Sequence, residues 1–186
     1  MARGWERDFN RAQRYLPALQ RILAQYLIVE APVLEDIQHN TDLIVVMADG
    51  VRVACRLRDQ QYAGQYLGEF TLRCARPNGV RTELDKLMDG WGHYFLYGFM
   101  TPPPAADVAG WTLLDLRVFR EWFRTFPPDL LPGELRHNRD GSSSFRAFRF
   151  ANLPFECVVA STLPEPLLPQ KRAAVAGPVQ RSLFGS

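Results

Sequence analysis

The sequence predicts an α/β (α+β) fold: a central mixed β-sheet flanked by helices, formed by residues 1–162. Three observations predict it. Apolar residues recur at helical spacing over residues 8–27. Apolar and polar residues alternate along 51–58, 69–74 and 144–150, which is the period of a strand with two different faces. Thr82 stands three residues before Asp85, a weak capping-box signature that opens a second helix.

In the first helix, Phe9, Ala12, Leu16, Leu19, Ile22, Leu23 and Tyr26 form the apolar stripe, and Pro17 should kink or split it. Residues 27–33 and 42–47 read as short strands. The run Leu43-Ile44-Val45-Val46-Met47 suits a strand covered on both faces. Asp49-Gly50 is a hairpin signal that turns the chain into residues 51–58. Residues 59–68 read as a loop and 69–74 as a strand. The helix after Thr82 is expected to run over 83–99, with Leu84, Leu87, Met88, Trp91, Phe95 and Phe99 facing the core. Residues 111–116 form a strand and 118–126 a helix stopped by Pro127-Pro128. Residues 138–143 make a turn before the last clear strand. Residues 154–162 are apolar and leave helix and strand open.

At 186 residues and 47% apolar, the chain can bury a core without disulfide or metal staples. No apolar run reaches the roughly 20 residues that span a bilayer, and residues 1–8 carry no apolar signal core, so a cytoplasmic protein is expected. Cys55, Cys74 and Cys157 lack ligand spacing, so buried free thiols are expected rather than a zinc site. The net charge of +2 excludes a bulk electrostatic footprint. Lys86 and Lys171 are the only lysines, however, and every other basic side chain is an arginine, whose fork suits phosphate. From residue 163 the composition turns to proline, alanine and glutamine, which predicts a disordered tail over 163–186.

The tail closes with Gln180-Arg181-Ser182-Leu183-Phe184. This peptide resembles the bacterial sliding-clamp-binding motif: Gln, any residue, Ser or Asp, Leu, Phe. The resemblance implies that Gln180 enters a polar pocket, Ser182 is a small spacer, and Leu183 and Phe184 fill an apolar cleft of the clamp. The alternative is that Leu183 and Phe184 fold back onto the domain.

The order helix, three strands, helix, strand resembles the restriction-endonuclease-like αβββαβ core of the PD-(D/E)XK nuclease superfamily. The resemblance implies a Mg²⁺ site opened by Asp42, with a hairpin at Asp49-Gly50 leading to a strand that carries Glu-x-Lys. That strand instead reads Arg56-Leu57-Arg58 or, in the other register, Ala54-Cys55-Arg56. Arginines would repel the metal. Two readings follow. Either Glu83 and Lys86, which share a helix face at i and i+3, replace the missing pair, so that Asp42, Glu83 and Lys86 are catalytic, Asp42 and Glu83 holding Mg²⁺. Or the metal site is lost, and Arg52, Arg56, Arg58 and Arg73 form a DNA phosphate-binding face. Structural roles compete with both: a turn cap for Asp42, and an exposed Glu83–Lys86 ion pair.

Segments at 41–42, 54–58, 70–73 and 82–86, with Gly90-Trp91-Gly92, are also similar to phage and prophage proteins of no assigned activity. Together these resemblances imply a phage-type DNA-metabolism protein in the cytoplasm of a bacterial host. It would have DNA and the sliding clamp as partners. The rival expectation is a non-catalytic protein that occupies the clamp, or another host protein, and blocks its partners.

Overall fold

The computed structural model describes residues 2–30, 43–45 and 51–171. Helix α1 (Ala2–Leu27) is followed by a small antiparallel pair, β1 (Ile28–Glu30) with β2 (Leu43–Val45). Strand β3 (Val53–Asp59) leads through a 3₁₀ turn and the short α2 (Ala63–Tyr66) to β4 (Glu69–Ala75). Helix α3 (Glu83–Met88) precedes β5 (Tyr94–Met100) and β6 (Val108–Asp115), then α4 (Leu116–Arg124). Strands β7 (Glu134–His137), β8 (Ser144–Arg149) and β9 (Val158–Ser161) complete the order. The fold is α+β.

The strands form two larger sheets. One is mixed, in the order β3-β5-β6-β9, with β3 parallel to β5 and the other pairs antiparallel. The other is antiparallel, in the order β4-β8-β7. Strand β5 lies inside the first sheet and alternates strictly. Phe95, Tyr97 and Phe99 face the second sheet, where they join Phe70, Leu72 and Phe148. Leu96 and Met100 face the other way, against Tyr15, Ala18, Leu19 and Ile22 of α1. Covered on both faces, β5 reads as a near-continuous apolar run. Gly98 faces β6 so closely that a Cβ would stand 2.7 Å from Val108 Cγ1 and 2.9 Å from Trp111 Cβ. Only glycine fits there.

Phe70 is the hub between the sheets. Its ring centroid lies 5.1 Å from Phe148, 5.3 Å from Phe150, and 5.9 Å from both Phe95 and Phe119. Across the second sheet, Glu69 and Arg136 form a two-pronged pair at 2.5 and 2.9 Å, and the guanidinium also lies over the Tyr66 ring. The buried carboxylate of Glu69 is thereby matched in charge and geometry.

Several expectations change. The helix predicted over 83–99 ends at Met88, and its second half is strand β5. Gly90 and Gly92 take φ of +90° and +84°, a backbone that leaves the helix between them. Trp91, placed on the core stripe, is 51% exposed. Helix α1 runs unbroken through Pro17, so no split occurs. Strand β3 pairs with β5, and β2 with β1, so among the described residues no hairpin joins β2 to β3; Asp49 and Gly50 lie outside them. Strand β7, over residues to which the sequence reading assigned no element, forms the edge of the second sheet.

The boundary predicted at residue 163 falls within packed chain. Leu163 and Pro169 are buried, and Leu167 and Leu168 pack on the core. Of the thiols, Cys157 is buried and pushed up to about 12 by burial, while Cys55 is exposed and Cys74 intermediate. No helix among the described residues is long and apolar enough to cross a membrane.

Truncating the hub should be costly. Phe70→Ala is expected to lower unfolding free energy by about 3–5 kcal/mol, read as a fall in the urea midpoint at unchanged slope.

Candidate anion-binding cleft

Strands β3 and β4 belong to different sheets, and α3 closes the gap between their ends. The result is a cleft of about 1010 Å³. Arg52, Arg56, Arg73, Arg76, Arg81 and Lys86 line it, with two carboxylates, Glu83 and Asp89. Val80 and Trp91 add exposed apolar surface. The cleft therefore unites five sequence-predicted residues: Arg52, Arg56, Arg73, Glu83 and Lys86.

Local chemistry fixes α3 at both ends. Thr82 caps it: the Asp85 carboxylate accepts the Thr82 N–H and hydroxyl, each at 2.7 Å, while Asp85 N–H donates to Thr82 Oγ1. These donors hold the Asp85 carboxyl below its ordinary value. At the other end, α4 reaches across. Arg120 donates to the carbonyls of Leu87 and Gly92, and Arg124 to that of Met88. Arginine forks thus grip carbonyls at the end of α3 and in the turn after it.

The charges are matched unevenly. Glu83 accepts from the Arg56 guanidinium and from the backbone N–H of Arg73 at 3.2 Å. Asp89 pairs with Arg81. Both carboxylates are thus taken. Among the described residues, the side chains of Arg52, Arg73, Arg76 and Lys86 make no ion pair and no hydrogen bond. Burial, and then the positive charges of Arg76 and Arg56, pull the Arg73 guanidinium below its ordinary value. Like charges gathered beside Arg73, only partly offset by Glu83, suit the cleft to an anion.

Arg58, predicted beside Arg56, does not line this cleft. Its guanidinium lies 5.1 Å from the Tyr62 ring centroid and 5.6 Å from that of Tyr66, and it donates to Tyr97 Oη at 3.4 Å. It is held as a cation on aromatic faces. The Glu83–Lys86 ion pair does not form, because Arg56 takes Glu83. Asp42, Gln180, Ser182, Leu183 and Phe184 lie outside the described residues.

A divalent cation does not fit the described part of the predicted metal site. Glu83, the carboxylate it would need, is neutralised by a guanidinium and an N–H, and five further cations line the same cleft. No group of three His, Cys, Asp or Glu suited to a metal ion occurs among the described residues.

Sequence reasoning missed Arg76, Arg81 and Trp91 as cleft residues. Trp91 carried a signal: a tryptophan between two glycines is poor helix and good turn. No family model, curated protein or solved structure matches the chain.

Two outcomes are expected. Glu83→Gln removes one countercharge and frees Arg56, so the protein should need more salt to elute from heparin. Asp85 has a folded pKa below its unfolded one, so its capping contribution is complete above about pH 4 and fades as the pH falls further. Asp85→Asn should therefore lower the urea midpoint at pH 7, and by progressively less as the pH falls below about 4.

Proposed function

We propose that this chain is a nucleic-acid-binding protein of phage-type DNA metabolism. It grips phosphates in the cleft between β3, β4 and α3, and its peptide 180–184 docks on the bacterial sliding clamp. The observation that carries the binding reading is charge unmatched among the described residues: Arg52, Arg73, Arg76 and Lys86 line one concave site whose two carboxylates already serve Arg56 and Arg81. Arginine-lined concavities suit phosphate oxygens, since each fork can engage two of them. The clamp contact rests on the match of Gln180, Ser182, Leu183 and Phe184 to the motif.

The occupied state of Glu83 favours the non-catalytic reading over the Mg²⁺-dependent nuclease. In that reading Glu83 sets the net charge of the cleft and aims Arg56, and Lys86 is a phosphate contact. The protein then holds DNA, or blocks clamp clients, without cutting.

The tests separate these parts. Arg73→Glu with Arg76→Glu should weaken DNA binding by at least about 10-fold at 100 mM salt and flatten the salt dependence, read by fluorescence anisotropy. Unchanged affinity would remove the phosphate reading. Truncation after residue 179 should abolish capture of purified clamp and leave DNA affinity unchanged. Plasmid incubated with the full chain and Mg²⁺ or Mn²⁺ should stay intact; cleavage lost on Asp42→Ala would reinstate the nuclease.

A further inference from the structure

We infer that the ligand of the cleft is a single-stranded nucleic acid, and that Trp91 is the platform on which one of its bases stacks. This rests on the phosphate reading above and narrows it.

The indole of Trp91 occupies an unusual place. Trp91 is half exposed, although tryptophan is among the most apolar side chains available to a core. It lines the cleft together with Val80, a second large apolar side chain that is 50% exposed.

The backbone under Trp91 is held from several sides. Its N–H donates to the Lys86 carbonyl at 3.1 Å, and the Gly90 N–H donates to that of Leu87. Gly90 and Gly92 supply the positive φ angles on either side. Arg120 grips the Gly92 carbonyl. Beyond it, His93 N–H donates to the Arg52 carbonyl at 2.8 Å, and Arg52 N–H donates back to His93 Nδ1 at 3.0 Å. An exposed apolar ring on a braced turn loses little freedom when a ligand covers it, so the contact returns most of its gross energy.

The same latch puts Trp91 and Arg52 in one unit. Arg52 and Arg56 lie up to about 14 Å apart along extended chain, a span that exceeds a single phosphate. A track of cations with an aromatic face at one side is the arrangement that binds single strands, where the backbone follows the charge and unpaired bases stack. Duplex DNA offers phosphates but no free base face, and an acidic peptide offers charge without an aromatic ring in register.

The experiment uses the full chain and fluorescein-labelled 20-mers of mixed sequence, single-stranded and duplex, followed by anisotropy. The single strand should bind about 10-fold more tightly than the duplex. Trp91→Ala should weaken the single strand by roughly 5- to 150-fold, the range that one base stacked on an aromatic ring supplies. Its duplex affinity should stay unchanged, and Trp91→Phe should recover most of the loss. Equal loss for both forms, no loss for either, or displacement of the strand by polyglutamate as readily as by unlabelled strand would overturn the stacking inference. The phosphate reading fails separately, if Arg76→Glu leaves both affinities untouched.

Discussion

The structure depends on the burial of β5 from both sides. Phe95, Tyr97 and Phe99 close one core with the second sheet, while Leu96 and Met100 close another with α1. A strand with two apolar faces cannot sit at an edge or on the surface, so it forces α1, the mixed sheet and the antiparallel sheet into successive layers. Phe70 then locks the inner layer through ring contacts that combine area with edge and face geometry. With about 25 cal/mol gained per Å² of apolar surface buried, aromatic clusters of this size dominate the gross stabilisation.

The cleft follows from that layering. Because β3 and β4 run into different sheets, their ends diverge, and α3 bridges the opening rather than filling it. The bridge is itself pinned, by Thr82 and Asp85 at its start and by Arg120 and Arg124 at its end. Arginine thus plays three roles in this chain. It pairs with the buried Glu69, it grips carbonyls at the end of α3 and in the turn after it, and it lines the concavity with charge. The uniform arginine composition hides this division of labour.

Much of the fold was legible where one period dominates. The strands at 51–58, 69–74 and 144–150 and the helices at 8–27 and 118–126 appear within a few residues of their expected bounds. The error at 83–99 has a physical source. Leu84, Leu87, Trp91, Phe95 and Phe99 satisfy a 3- to 4-residue spacing, while a doubly buried strand has no polar face to reveal its period of two. The glycines decided the matter. Strand β7 was unreadable for the opposite reason, since Glu134, Leu135 and His137 are all exposed or partly so and leave no apolar alternation.

For the site, charge type was legible and pairing was not. Arg52, Arg56, Arg73, Glu83 and Lys86 were named from sequence and meet in space, yet whether a carboxylate serves a metal or a guanidinium is a tertiary fact. Arg58 illustrates it: two residues from Arg56, it turns to Tyr62 and Tyr66, in a stretch read as plain loop.

Leu163, Leu167 and Leu168 pack against the core and Pro169 is buried, so the domain extends past its expected boundary at residue 162. Measured from Lys171, the motif at residue 180 is nine peptide units away, a leash of no more than about 32 Å even if drawn straight. Were the proposed clamp contact made, the domain would hover on so brief a cord just above the ring's face. It would patrol only the stretch of strand entering or leaving the hole, and any longer excursion along the template would require the ring to slide with it.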